Sequence, residues 1–117
     1  MAKEKDILPR IYNFGLAVIK YSRTFSNTRE SHILAKQVIR SATSVGANVE
    51  EANASSSKAD FLNKMNIALK EARESHYWLR MVRDAECSIS SETENMIKEA
   101  DELKRILGAI VSKMRKS

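Results

Sequence analysis

The sequence is poor in residues that staple a chain or interrupt it. It holds one cysteine, Cys87, one proline, Pro9, and three glycines, Gly15, Gly46 and Gly108. A lone cysteine closes no internal disulfide, so a reducing compartment, the cytoplasm, is expected. So few Gly and Pro leave little material for tight turns and few breaks in helices, which favours a chain of long helices. The three glycines are isolated from one another, so there is no Gly-rich phosphate loop. No run of about 18 apolar residues occurs, which excludes a membrane-spanning helix. The first six residues, Met-Ala-Lys-Glu-Lys-Asp, mix charges and lead into no apolar region, so no secretory signal is expected.

What is present suits one helical domain. The 117 residues are 43% apolar and 30% charged, a globular balance. The net charge is +5 and the pI about 9.5, a mild bias toward polyanionic partners.

Four segments carry apolar residues at alternating four- and three-residue spacing, which draws one stripe down each helix. The first runs from about 7 to 25, with Ile7, Ile11, Phe14, Val18, Tyr21 and Phe25 inward and Pro9 in its first turn. The second, about 29–53, places Ala35, Val38, Ala42, Val45, Val49 and Ala52 inward. Thr28 with Ser31 offers its N-cap. Its middle, Ser41 to Ala47, is rich in small residues, so close approach of another helix is expected there, with Gly46 kept for packing.

The third helix, about 58–86, follows a Ser57–Asp60 cap and buries Phe61, Met65, Ala68, Ala72, Ser75, Leu79 and Val82. The fourth, about 91–114, has a Ser91–Glu94 capping box and a stripe of Met96, Ala100, Leu103, Leu107, Ile110 and Met114. Four such helices with short links predict an all-α, antiparallel up-down-up-down four-helix bundle. A single domain covering residues 1–117 is expected.

Chemistry is sparse. A di-iron bundle needs Glu-x-x-His pairs, but Arg29 and Arg73 stand three residues before His32 and His76. Two isolated histidines do not make a zinc site. Cys87 falls in a loop with no evident base. The expectation is therefore no catalytic residue, no metal and no cofactor; an enzyme or metal carrier built on the core is the least favoured reading. Arg40, Asn48, Glu51 and Glu74 sit on or near apolar stripes, and are expected to form a buried polar network joining helices two and three.

Two surface features suggest partners. Residues 1–27 hold Lys3, Lys5, Arg10, Lys20 and Arg23 against two acids, and the chain ends with Lys113, Arg115 and Lys116. These two basic patches are the candidate phosphate contacts for RNA or DNA. No helix-turn-helix or other nucleic-acid motif accompanies them. Tyr12, Leu16, Tyr77, Trp78 and Met81 overflow the inward stripes, so a second apolar face and a homo-oligomer are expected, with these five as interface candidates.

Residues 37–53 and 67–79 carry a resemblance. Arg40, Ser44-Val45 and Asn48-Val49-Glu50-Glu51 match the second-helix pattern of the bacterial four helix bundle protein family, the 23S rRNA intervening-sequence proteins. Ala52 stands where that family often has Gly. Ser57 and Phe61 resemble the opening of its third helix, and Ile67 to Leu79 its central run. The likeness extends from about Ile11 to Leu107. It implies an up-down bundle assembling into a homopentamer. The family is similar to the accessory variability protein of diversity-generating retroelements, a basic pentamer that binds a reverse transcriptase and nucleic acid. The resemblance thus implies a non-enzymatic nucleic-acid binder. The alternative is a scaffold or accessory subunit for another protein, such as a reverse transcriptase.

Overall fold

Thr28 and Ser57 set the two inner helix starts in the computed structural model, which describes the backbone of residues 2–117 and the side chains from Ile7 onward. Each lies in extended backbone, and its hydroxyl accepts a hydrogen bond from the amide three residues on, Ser31 or Asp60. The helices are α1 (Ala2–Ser22), α2 (Arg29–Asn53), α3 (Lys58–Asp84) and α4 (Thr93–Lys116). Among the described residues the only β pairing is an isolated bridge between Phe25 and Ser88.

Several boundaries depart from the sequence reading, α4 among them, which runs to Lys116 and not to 114. α1 extends back to Ala2, so Pro9 lies inside the helix, not in its first turn, and offers no N–H to the carbonyl of residue 5. The helix also stops at Ser22, because Thr24 and Phe25 turn away into the bridge with the α3–α4 loop. α3 stops at Asp84 through a Schellman ending. Glu86 takes a φ of 57°, its amide returns to the Arg83 carbonyl, and the Cys87 amide returns to Val82. Cys87 is thereby folded into the core, and its own carbonyl accepts from the Ser26 amide.

The Ser91–Glu94 capping box does not form. α4 begins at Thr93 behind Glu92, which makes no side-chain cap. Thr93 is buried instead, sharing a hydrogen bond with the Tyr21 hydroxyl at 2.5 Å and donating to the Ser90 carbonyl. Tying this first turn to α1 overrides the local cap.

The stripes meet as one core. Val18, Val38, Val45, Leu79, Val82, Leu103 and Leu107 are fully enclosed. Ile97 and Val111 join them on α4, which is therefore apolar over a wider arc than one stripe. Phe25, Ala35, Phe61, Met96 and Met114 are only partly covered; Phe61, Met96 and Met114 lie in the end turns of their helices, and Phe25 lies beyond the end of α1.

α2 and α3 pack most extensively, followed by α3 with α4 and α1 with α2. Small residues permit this closeness. Ser41 and Ser75 are buried, with their oxygens 3.0 Å apart across α2 and α3. A Cβ on Gly46 would stand 3.3 Å from Ile11 Cγ2, and one on Gly15 would stand 3.5 Å from the Ala42 carbonyl oxygen. Gly46 therefore meets α1 where a side chain would press on it. The cross-helix pairs fix the relative course of the helices. Late α1 (Tyr21) meets early α4 (Thr93), early α3 (Lys58) meets the end of α4 (Ser117), and late α2 (Glu51) faces early α3 (Lys64).

Candidate functional site

The basic residues singled out in the sequence do not form one surface. Tyr21 is bonded to Thr93, so Lys20 and Arg23 lie at the end of the bundle where α4 begins. Lys113, Arg115 and Lys116 lie at the far end of α4, about 35 Å away at roughly 1.5 Å per residue. Lys3 and Lys5 fall outside the described side chains. Arg10 is already engaged. Its guanidinium donates to both carboxylate oxygens of Glu99, at 2.8 and 2.7 Å, and to Glu102 at 3.1 Å. Those bonds, Glu99's foremost, hold Arg10 more firmly charged than a free arginine, yet leave its charge neutralised by two acids.

The four polar residues expected to form one buried network separate into three arrangements. Arg40 bridges from α2 to Glu74 and to Glu71 of α3, the latter at 3.3 Å. Glu74 also accepts from the Trp78 indole. Asn48 turns back within its own helix, donating to the Ser44 carbonyl and hydroxyl. Glu51 is exposed, not buried, and its nearest cation is Lys64 at 3.9 Å. The reason is angular: Val45, Val49 and Ala52 form the inward stripe, and Glu51 projects from the other side of the helix. Its loss strands no buried charge.

The apolar overflow divides into two patches. Tyr12 and Leu16, 64% and 40% exposed, border a hollow of about 280 Å³ between α1 and α2. Its floor is Gly15, Ala42, Thr43, Gly46 and Ala47, and Glu50 stands at its edge. Tyr77 and Met81, 45% and 41% exposed, lie on the outer face of α3. Trp78 is partly tucked under, edge-on to Tyr77, while the Arg80 guanidinium sits 5.8 Å from the Tyr77 ring centroid. Ile33 and the fully exposed Ile89 are large apolar residues at the surface that the stripes did not flag.

A third surface was not anticipated. Two adjoining hollows of about 500 and 430 Å³ lie along the α3–α4 seam, sharing Leu69, Arg73 and Gly108. Arg80, Lys104 and Arg105 line one, and Arg115 and Lys116 the other. The α3 cations Arg73 and Arg80 lie more than twenty residues before those of α4, so no local charge run announces the groove. Arg115, predicted as part of a terminal patch, belongs here and donates to Asn66.

His76 reports the field in this groove. Burial lowers its pKa first, and Lys104, Arg80 and Arg83 lower it further against Asp101, whose carboxylate lies 4.0 Å away. The unfolded chain takes up that proton near the ordinary pKa of about 6.5, the folded chain only below it. The unfolded state therefore binds more protons in between, and stability falls as pH drops through that window. Urea midpoints measured at about pH 7.5 and about pH 5.5 should show a larger drop for the native chain than for His76→Gln. Equal drops would contradict this origin.

Among the described residues no cluster of three or more His, Cys, Asp or Glu could hold a metal ion, and no helix is long and apolar enough to cross a membrane. Cys87 is buried.

Comparison with known proteins places this arrangement. No curated protein matches the chain. A crystal structure of a protein of unknown function from the S23 ribosomal protein family of Bacteroides thetaiotaomicron superimposes with a TM-score of 0.85 at 33% identity, over 94% of this chain and 98% of that one. The profile of the family described as 23S rRNA-intervening sequence protein matches residues 3–109. The four helices, their spacing and the motifs on α2 and α3 thus have one source: the chain belongs to the 23S rRNA-intervening sequence protein family.

Proposed function

We propose that this chain is a non-enzymatic, cytoplasmic, antiparallel up-down-up-down bundle that assembles with itself into a homopentamer and binds nucleic acid, RNA foremost, through basic surfaces. The observation that carries the nucleic-acid reading is excess positive charge displayed on the outside of a rigid body. Lys20, Arg23, Lys113 and Lys116 are exposed on a chain of net charge +5. The family's name, with its reference to 23S rRNA, supports an RNA partner.

The antiparallel course rests on the cross-helix pairs of Tyr21 with Thr93, Glu51 with Lys64 and Lys58 with Ser117. The oligomer rests on the two apolar patches. One is a hollow beside Tyr12 and Leu16; the other is a raised surface of Tyr77 and Met81 on a different helix. Unlike patches on one chain favour head-to-tail contact, which closes into a ring when the rotation permits.

A steep loss of affinity with salt tests the nucleic-acid reading. Binding of mixed RNA should weaken at least tenfold between roughly 50 and 200 mM salt. Affinity independent of salt, or no retention of RNA at the lower salt, would contradict it. The same apolar patches support a second reading, an accessory subunit that docks another protein such as a reverse transcriptase. Under that reading the oligomer persists and RNA is ignored at every salt.

A further inference from the structure

We propose that the groove between α3 and α4 is a track for the phosphate backbone of double-helical nucleic acid, with Arg73 and Arg80 as its principal contacts. The inference rests on the nucleic-acid reading above and moves its centre away from the helix ends.

The first support is pairing. Some arginines are matched by carboxylates, Arg10 by Glu99 and Glu102, Arg40 by Glu71 and Glu74, Arg83 by Asp84 and Glu94, whereas Arg23, Arg29 and the groove-lining Arg115 make no ion pair among the described residues. Arg73 and Arg80 make no ion pair among the described residues either; Arg80 donates to the His76 carbonyl of its own helix and lies over the Tyr77 ring. Across the groove, Asp101 is divided among Lys104, Arg105 and His76. One carboxylate therefore serves the middle of the α4 wall, opposite the two guanidiniums of α3.

The second support is shape. The two hollows join at Arg73 and Gly108, giving one channel from Arg80 to Asn66. That is about 21 Å of helix at roughly 1.5 Å per residue, enough to follow several consecutive phosphates. The wall cations come from both helices, so a strand in the groove meets positive charge on each side. The lining holds no Phe, Tyr or Trp. Unstacked bases need an aromatic platform, whereas a duplex presents its phosphates outward and needs only cations. The groove offers the second kind of surface. A third support is His76, whose protonation is suppressed first by burial and then by the neighbouring charges of Lys104 and Arg80, against Asp101.

The test compares three double variants: Arg73→Gln with Arg80→Gln, Lys20→Gln with Arg23→Gln, and Lys113→Gln with Lys116→Gln. All six side chains are exposed, so unchanged circular dichroism and melting should accompany each. The probes are a fluorescein-labelled RNA hairpin, a DNA duplex of the same stem sequence and a single-stranded RNA, read by anisotropy across salt. Each phosphate contact carries about 0.9 of a log unit in affinity per tenfold change in salt. The groove variant should therefore lose on the order of 50-fold in hairpin affinity at about 0.1 M salt, with its salt slope reduced by about 1.8. The end variants should each lose less. Adding the hairpin to the native chain should raise the His76 pKa seen by NMR, as phosphate offsets the local cations. Comparable loss with the DNA duplex would identify phosphate alone as the ligand; loss confined to RNA would add the sugar to it. Native-like hairpin affinity in the groove variant, with loss in an end variant, would overturn the groove and leave the nucleic-acid reading standing. Tighter binding of the single strand than of either duplex would overturn the double-helical ligand. No binding of any probe by the native chain would overturn both.

Discussion

Leu79→Ala lowers the free energy of unfolding by about 2–5 kcal/mol. Leu79 has no exposed surface and lies on the inward face of the last third of α3, among the residues of the core. Removing most of its side chain forfeits the transfer free energy and leaves a hole that neighbouring helices cannot wholly close. Met81, two residues on, is 41% exposed on the outer face of the same helix. Met81→Ala should change the stability of an isolated protomer by no more than about 0.5 kcal/mol. Any larger effect should appear with a change in assembled mass, because the exposed part of Met81 can be covered only by a partner. Urea unfolding of the two variants measures the contrast. A Leu79→Ala cost below about 1 kcal/mol would show that the α3 stripe is not the centre of the core.

Ser75→Leu should be nearly as damaging, for the opposite reason. Its oxygen lies 3.0 Å from that of Ser41 and also donates to the Glu71 carbonyl, in the buried seam between α2 and α3. Inserting extra methylenes into a filled seam costs about 1–3 kcal/mol, occasionally more. Here the strain forces two backbones apart and draws Arg40 away from Glu71 and Glu74. Ser75→Ala is the control. It removes one hydroxyl but leaves Ser41 its bond to the Val38 carbonyl, so it should cost about 1 kcal/mol or less. A Ser75→Leu variant as stable as the native chain would mean that the seam has slack, against the close approach described.

The helical stripes were legible because periodicity is a local signal. Val38, Ala42, Val45, Val49 and Ala52 recur at helical spacing, and their burial needs no knowledge of which helix lies opposite. The starts at Thr28 and Ser57 were legible for the same reason, since each cap is completed three residues away. What failed locally depends on distant partners. Ser91 and Glu94 have the composition of a capping box, but Tyr21, more than seventy residues earlier, claims Thr93 and sets the helix start. α1 ends early because Phe25 pairs with Ser88. Ile97 and Val111 were missed because α4 meets both α1 and α3, so one stripe is too narrow.

The candidate sites follow the same division. Arg40 and Glu74 could be linked in sequence because both border apolar stripes. Glu51 could not be placed correctly from proximity to Asn48, since one residue of offset carries a side chain to the other side of a helix. The basic terminal patches were visible as local excess charge, but Arg10's neutralisation by Glu99 and Glu102 depends on α4 lying beside α1. The α3–α4 groove is the extreme case. Arg73 and Arg80 look like ordinary solvated charges in sequence, and only the packing sets Lys104, Arg105 and Arg115 opposite them.

The central claim, an oligomeric bundle that takes up RNA electrostatically, is tested most directly by the light-scattering mass of the purified chain, alone and with mixed RNA, at low and high salt. The predicted result is a particle of five 13.2 kDa protomers at both salts that gains RNA mass only at low salt. A monomer whose mass is unchanged by RNA at either salt would contradict both the assembly and the ligand.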